Sequence, residues 1–350
     1  MNRIIVLFLL LTLVKTSWAC DLCSVYIGIQ PRDFQSSIAL RYRYRIFEDK
    51  YTLNSNTNSL SKTSGSRLTP LYDMNINHVE DGLTGTHNDG TIIYTEQYSS
   101  FDVVANLMFG KRFSLFLTTS FSDNYIYQND SIIDNVSGVG DALILANYRL
   151  FYTKVANDSL AKNKFLHRFT IGGGIELPTG SFNKKSVKGY ETSFTANTII
   201  GQPLMELDEH IQPGTGSFNY LLATQYMVKY NRFGINNDIS YKINTKNRNG
   251  FQFANRFNVN SSLFYLAKLN DKMILMSNTG VSYEYSQQDW RENEKAEDSG
   301  GEALFTNFGL QFFYNNISIS TTYFQPVYNY LYGNQPSNKA RVISQLSIYF

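Results

Sequence analysis

Three groups of side chains in this sequence could do chemistry. The first is Cys20 and Cys23, the only cysteines, in Cys20-Asp21-Leu22-Cys23. Two sulfurs this close can join in a short disulfide in an oxidising compartment, or hold a metal. A single CxxC is half of a four-thiolate zinc site, and no second pair completes it, so soft Cu(I) is the ion the pair suits best. Attachment of lipid to Cys20 is the remaining alternative. The second group is basic: Arg41, Arg43 and Arg45 recur at every other residue. The third is histidine. His78 and His87 share a polar stretch with Asp73, Met74, Glu80, Asp81 and Asp89, a set able to bind a divalent ion. His167 has no evident partner, and no Ser/His/acid set assembles on one strand face, as an outer-membrane lipase needs. The sequence therefore predicts no enzyme and calls for no cofactor.

The arginine row has to be placed by a strand. Ile38, Leu40, Tyr42, Tyr44 and Ile46 alternate with Ala39, Arg41, Arg43 and Arg45, and a strand sends successive side chains to opposite faces. In a soluble sandwich the arginines would face water; in an outer-membrane barrel the apolar face meets lipid and the arginines face a wet lumen. Repetition decides. Alternating segments recur to the C-terminus, joined by turns that are alternately short and long, as outer-membrane barrels show. The predicted strands are Ile38–Ile46, Phe101–Phe109, Phe113–Phe121, Asp141–Phe151, His167–Glu176, Phe218–Val228, Phe233–Tyr241, Phe251–Leu269, Met273–Tyr285, Leu304–Phe313, Ile317–Phe324 and Arg341–Phe350. Polar loops are expected at Glu48–Gly90, Ser122–Gly140, Pro178–Gly216 and Ser286–Gly301. The connection Thr153–Leu166 is long for a periplasmic turn and could hide a further strand. The fold class expected is all-β, a transmembrane antiparallel β-barrel of about 12 strands with short periplasmic turns and long external loops.

A charge on the lipid face costs about 2–4 kcal/mol at the bilayer midplane, so the charged series must face inward. That series contains Arg41, Arg43, Arg45, Asp102, Arg149, Arg168, Glu176, Asp238, Arg256 and Glu284. Two readings of it stay open: the charges pair across a mostly filled interior, or they line a selective path for small polar or anionic solutes. Twelve strands enclose little space once Arg and Tyr are counted, so a wide pore is not expected.

Composition supports the same class. The 350 residues include 25 Tyr and 25 Phe, enough for aromatic girdles, while a mean hydropathy of −0.27 excludes a bundle of membrane helices. A net charge of +2 argues against nucleic acid as a partner. Met1-Asn2-Arg3, the apolar run Ile4–Val14 and small residues at Ser17 and Ala19 form an export signal, with cleavage near Ala19. The expected organisation is a signal peptide over 1–19, a periplasmic segment with the CxxC over 20–35, and a barrel over 36–350. The terminal Ile348-Tyr349-Phe350 matches the assembly signal of such barrels, so lipid and the barrel-assembly machinery are the partners expected. The location expected is the outer membrane of a Gram-negative cell.

Three further motifs stand at strand ends: Ser137-Gly138-Val139-Gly140-Asp141, Leu177-Pro178-Thr179-Gly180 and Gln212-Pro213-Gly214-Thr215-Gly216-Ser217. In this order, the chain resembles the outer-membrane transporters named after the meta-pathway of phenol degradation, over roughly Asp102 to Phe350. Ala19-Cys20-Asp21-Leu22-Cys23 is similar to the start of the mature chain in a Bacteroidota-type subgroup, although Ser24 stands where that subgroup has Gly and its third cysteine is absent. The resemblance implies a passive transporter of small solutes. A non-conducting barrel that displays its external loops for binding or adhesion, and a copper-linked role through the CxxC, are the alternatives.

Overall fold

A computed structural model describes residues 34–54, 59–62, 91–153, 165–185 and 207–350. Cys20, Cys23, the export signal, His78 and His87 lie outside the described residues. Twelve antiparallel strands close into a barrel. They are β1 Ser37–Asn54, β2 Thr91–Phe109, β3 Phe113–Gln128, β4 Ala142–Tyr152, β5 Phe165–Leu177 and β6 Asn219–Tyr230. The second half is β7 Phe233–Ile243, β8 Arg256–Lys268, β9 Met273–Ser286, β10 Gly301–Tyr314, β11 Ile317–Leu331 and β12 Ser337–Tyr349. Each pairs with its neighbour in sequence, and β12 returns to β1 with Leu40 opposite Leu346. Closure matters because hydrocarbon offers no partner to an unpaired strand edge. β4 and β5 pair directly, Ala142 opposite Leu177, and most of the connection Thr153–Leu166 lies outside the described residues.

The short turns are built from residues that tolerate left-handed backbone. Gly110 has φ 65°, Asn231 53° and Asn315 48°. Outward side chains form an aliphatic belt that includes Ile38, Leu40, Val103, Leu222, Leu263, Ile319 and Leu346. Aromatic rings flank it: Phe109, Phe113, Phe165, Tyr230 and Phe233 toward the short turns, Tyr220, Tyr241 and Tyr330 toward the long loops. An apolar band between aromatic girdles is what a bilayer's core and two interfaces select.

Two expected loops fold differently. The run 122–140 is a strand pair. β3 continues to Gln128, turns at Asn129 and Asp130 with φ 47° and 64°, and returns as Ser131–Val139. Two central residues at positive φ make the hairpin turn whose twist matches that of the strands. The returning strand runs through Gly140 and Asp141 into β4, and both pieces pair with β3. Beyond the hydrocarbon both faces meet water, so the ladder persists while apolar alternation disappears. The strand expected from Phe251 begins instead at Arg256. Phe251–Gln252 joins Trp290–Arg291 and Glu294–Lys295 in a small separate sheet on the long-loop side.

Candidate functional site

The structure groups the ten charged residues assigned to the lumen. Arg41 and Arg43 converge on one carboxylate: Asp102 accepts from Arg41 Nε at 2.8 Å and from Arg43 Nη2 at 2.9 Å, and is 1% exposed. Register explains the meeting, since Arg41 lies directly opposite Asp102 in the β1–β2 ladder. Arg45 sits over the Tyr98 ring at 5.1 Å. Glu176 binds Lys242 at 2.5 Å and accepts from Asn219 at 2.7 Å. Arg168 and Asp238 are joined through Gln225, which accepts from Arg168 at 2.9 Å and donates to Asp238 at 2.8 Å. Glu284 accepts from Arg341 at 2.7 Å. Arg149 stands apart near the short-turn end, with its guanidinium 4.5 Å from the Phe34 ring. Arg256 is 6% exposed and faces the Phe253 ring at 5.4 Å.

The three glycine-bearing motifs, far apart in sequence, meet at one joint. Asp141 is its hub: one carboxylate oxygen accepts from the Gly180 amide at 2.8 Å, the other from the Thr215 amide and hydroxyl, both at 2.7 Å. A Cβ on Gly180 would lie 2.8 Å from Gly214 Cα, closer than side chains pack, so the two backbones can touch only as glycines. The Gly214 amide donates to Ser181 and the Ser181 amide to Val139, stitching all three segments together.

This joint turns 207–217 inward. Ile211 packs with Phe47, Tyr94, Tyr98, Ile126 and Val136, and its carbonyl accepts from Asn124 at 2.7 Å. His210 is held between two carboxylates, Nδ1 2.5 Å from Asp208 and Nε2 2.6 Å from Asp289. A ring that donates from both nitrogens is an imidazolium. Burial alone would raise the Asp289 carboxyl, but the His210 hydrogen bond and charge, the Arg256 charge and the Ala254 amide together hold it below the ordinary carboxylate range. The part of Pro178–Gly216 expected outside the barrel is thus, over 207–216, a roof over its lumen.

Beneath that roof is a cavity of about 160 Å³, lined by Arg41, Arg43, Lys242, Arg256, Pro213 and Leu143 among others. Below it, on one side, inward residues of successive strands form an apolar half-ring: Ala39, Val104, Phe116, Leu143, Leu145, Leu221 and Ala223. Gly172 and Gly174 on β5 make room for Leu145, whose Cδ1 would lie 3.2 and 3.1 Å from a Cβ at those positions. A smaller cavity of about 40 Å³ follows, bordered by Asn106, Asn147, Arg149 and Gln225. The opposite wall is amide-rich. β8 presents Arg256, Asn258, Asn260 and Ser262 inward in succession, flanked by Asn236 and Asn278. The Oδ1 atoms of Asn236, Asn258 and Asn278 are buried without a protein partner. That wall ends at Phe264, Met227, Met276, Phe313 and Tyr349, an inward cluster near the short turns.

Lys242, Arg341, Asp141, His210 and Asp289 were not among the sequence-based lumen residues. Lys242 and Arg341 obey the same alternation and were legible in it. The roles of Asp141, His210 and Asp289 arise from chain segments that meet only in the fold.

No protein-family model and no curated protein matches the sequence. Among solved structures, the COG4313 outer membrane channel from Pseudomonas putida F1 is similar with a TM-score of 0.54 and 10% identity, over 94% of this chain and 100% of that one. The beta domain of the Bordetella autotransporter BrkA follows with a TM-score of 0.43 and 8% identity, over 91% and 100%. LpxR from Salmonella typhimurium has a TM-score of 0.37 and 9% identity, over 90% and 100%. One expectation is corrected: a shared barrel fold leaves chemistry open, so the exclusion of an enzyme made from the sequence does not stand. The chain has the fold of the outer-membrane β-barrels.

Proposed function

We propose that this barrel is a passive outer-membrane channel for small solutes, and that it is a member of the transporter family its three glycine-bearing motifs resemble. The observation that carries the reading is the amide-rich wall. Buried carboxamide oxygens without protein partners are rare in a filled interior, because each forfeits the hydrogen bonds it made in water. Along β8 and its neighbours three of them face the lumen, beside an apolar half-ring that offers no competing partner. Such a wall supplies a hydrogen-bonding track from the roofed cavity toward the short-turn end. The Phe264 and methionine cluster at the foot of the track serves as its gate, since unbranched thioethers repack at little cost. The likeness to a channel of known structure supports this reading through fold.

The test is liposome swelling with neutral and charged solutes of graded size, alongside planar-bilayer recording. Small, discrete conductance and size-limited swelling are expected. A folded, inserted barrel that passes nothing under either assay would overturn the channel. The packed half-ring favours one alternative, a non-conducting barrel that presents its external face for binding. In that case, removing 207–217 would abolish partner capture without opening a conductance.

A further inference from the structure

Among the described residues the acids of the interior are bound to other groups, and Arg256 acts on Asp289 and Glu176 only through space. Asp102 is shared by Arg41 and Arg43. Glu176 is committed to Lys242 and Asn219, Asp141 to the glycine joint, and Glu209 to Arg291 at 2.6 Å. Asp289 is taken by His210 and by the Ala254 amide at 2.7 Å. Arg256 forms no ion pair and no hydrogen bond among the described residues, and its Nε is buried without a partner. It is nevertheless 6% exposed, and it lines the cavity of about 160 Å³ under the inserted loop. A guanidinium withdrawn from water keeps its charge, so it needs an anion or ordered solvent to replace the hydration it gave up.

We infer that this cavity is a binding site for a small organic carboxylate, with Arg256 as the anchoring group. The inference deepens the channel reading and rests on it only for the route by which the ligand arrives. Three features define the class. The guanidinium offers parallel N–H donors in a planar fork, which matches a carboxylate bidentately. Lys242 and Arg43, paired with Glu176 and Asp102, stand on the same cavity wall and offer further N–H donors beside the anchoring guanidinium. Phe253, Leu143 and Pro213 give one part of the wall a carbon face that an apolar body would cover and a sulfate or phosphate would not, while hydroxyl and amide side chains such as Thr118, Ser120 and Asn244 line much of the rest. Size sets the limit. An engineered apolar cavity of about 150 Å³ holds benzene, so an acid near the size of benzoate fits and a larger one requires the roof to move.

The experiment uses the full chain refolded in detergent, with benzoate as probe, benzamide as its uncharged counterpart and sulfate as an anion without an apolar body. Titration calorimetry should show benzoate binding at a single site and no benzamide binding. Arg256→Gln should weaken benzoate at least about tenfold, the equivalent of one charge-assisted hydrogen bond. Arg256→Lys should fall between, because it keeps the charge and loses the fork. Lys268→Gln, at the far end of β8, should change nothing. A heat-modifiable gel shift checks that each variant is folded, and if Arg256→Gln does not fold, Arg256→Lys decides. No benzoate binding by the wild type, or undiminished binding in a folded Arg256 variant, overturns the site. Sulfate binding tighter than benzoate overturns the carboxylate class. Liposome swelling is scored separately. Benzoate binding by a barrel that passes no solute would refute the channel and leave the site standing, whereas swelling without binding would do the reverse.

Discussion

Asp141→Ala should release the loop that roofs the lumen. The wild-type carboxylate accepts three hydrogen bonds, from the Gly180 amide, the Thr215 amide and the Thr215 hydroxyl. Hydrogen bonds to a charged acceptor contribute about 1.5–3 kcal/mol each, and the joint is partly exposed, so the low end applies and the loss is about 4 kcal/mol. It falls on the docking of 207–217 rather than on the barrel, because Asp141 lies between strand pieces whose ladders with β3 do not depend on its side chain. A change of that size shifts the ratio of docked to released loop by roughly three powers of ten. Ile211, Asn124 and the His210 contacts still hold the loop from the other side, so release should be frequent and partial rather than complete. Asp141→Asn keeps the shape with a weaker acceptor and should show a smaller effect. The assay is limited proteolysis of the refolded barrel combined with single-channel recording. Cleavage within 207–217 should accelerate at least a hundredfold, and the conductance should rise and flicker. Cleavage rate and conductance equal to wild type, in a variant that retains its gel shift, would refute both the hub role of Asp141 and the roof role of the loop.

Asp102→Asn leaves Arg41 and Arg43 buried without their shared anion and should cost about 3–5 kcal/mol, read as a lower temperature of gel-shift loss. Phe264→Ala removes an aromatic ring from the cluster at the foot of the amide wall. It should cost about 3–5 kcal/mol in stability and raise conductance, and an unchanged conductance would remove Phe264 from the gate. The Asp289 latch has a defined sign with pH. Its carboxyl is held below the ordinary value of 3.8, so the stability it lends is complete above that value and is lost only as pH falls through the lower, folded-state pKa. Protease sensitivity of 207–217 should be unchanged at pH 5 and rise below about pH 4, and release already at pH 5 would contradict the assignment.

The lipid-facing parts of the strands were readable because a bilayer enforces one rule at every position. Ile38 through Ile46 and Phe101 through Phe109 alternate so cleanly because an outward charge there is penalised directly. That rule stops at the membrane surface. Ser122 to Gly140 remains strand in the fold, yet its hydrogen-bonded ladder leaves no trace in hydropathy; Asn129-Asp130, two residues suited to positive φ, was the one local signal of a hairpin. The alternation also cannot tell which apolar residues face inward. Phe264 occupies a lumen position because Gly234 on the neighbouring strand leaves space for its ring, and that complementarity exists only between strands. The glycine-bearing motifs were visible as short segments, but their common purpose was not. Why Gly180 and Gly214 both lack side chains becomes clear only once their backbones are seen in contact across Asp141.

The row Arg41, Arg43, Arg45 posed the sharpest choice, between charges neutralised within the wall and charges offered to a solute. The fold answers differently for different arginines, and position in the ladder decides which. Arg41 has an acid directly across the hydrogen-bonded pair, so its charge is consumed where it stands, and Arg43 reaches back to the same carboxylate. Arg341 is met by Glu284 across the lumen, and Lys242 by Glu176. These pairs keep the interior compatible with a bilayer-embedded wall, because an ion left alone in low dielectric costs several kcal/mol even after relaxation. Arg256 breaks the pattern at the head of the amide wall, where Asn258 and Asn260 continue its face downward. A sequence selected only to fill a barrel would place an acid or an apolar residue there. A forked cation above a line of unsatisfied carboxamides, coupled to Asp289 and Glu176 only through space, keeps its N–H donors available for the carboxylate inferred above.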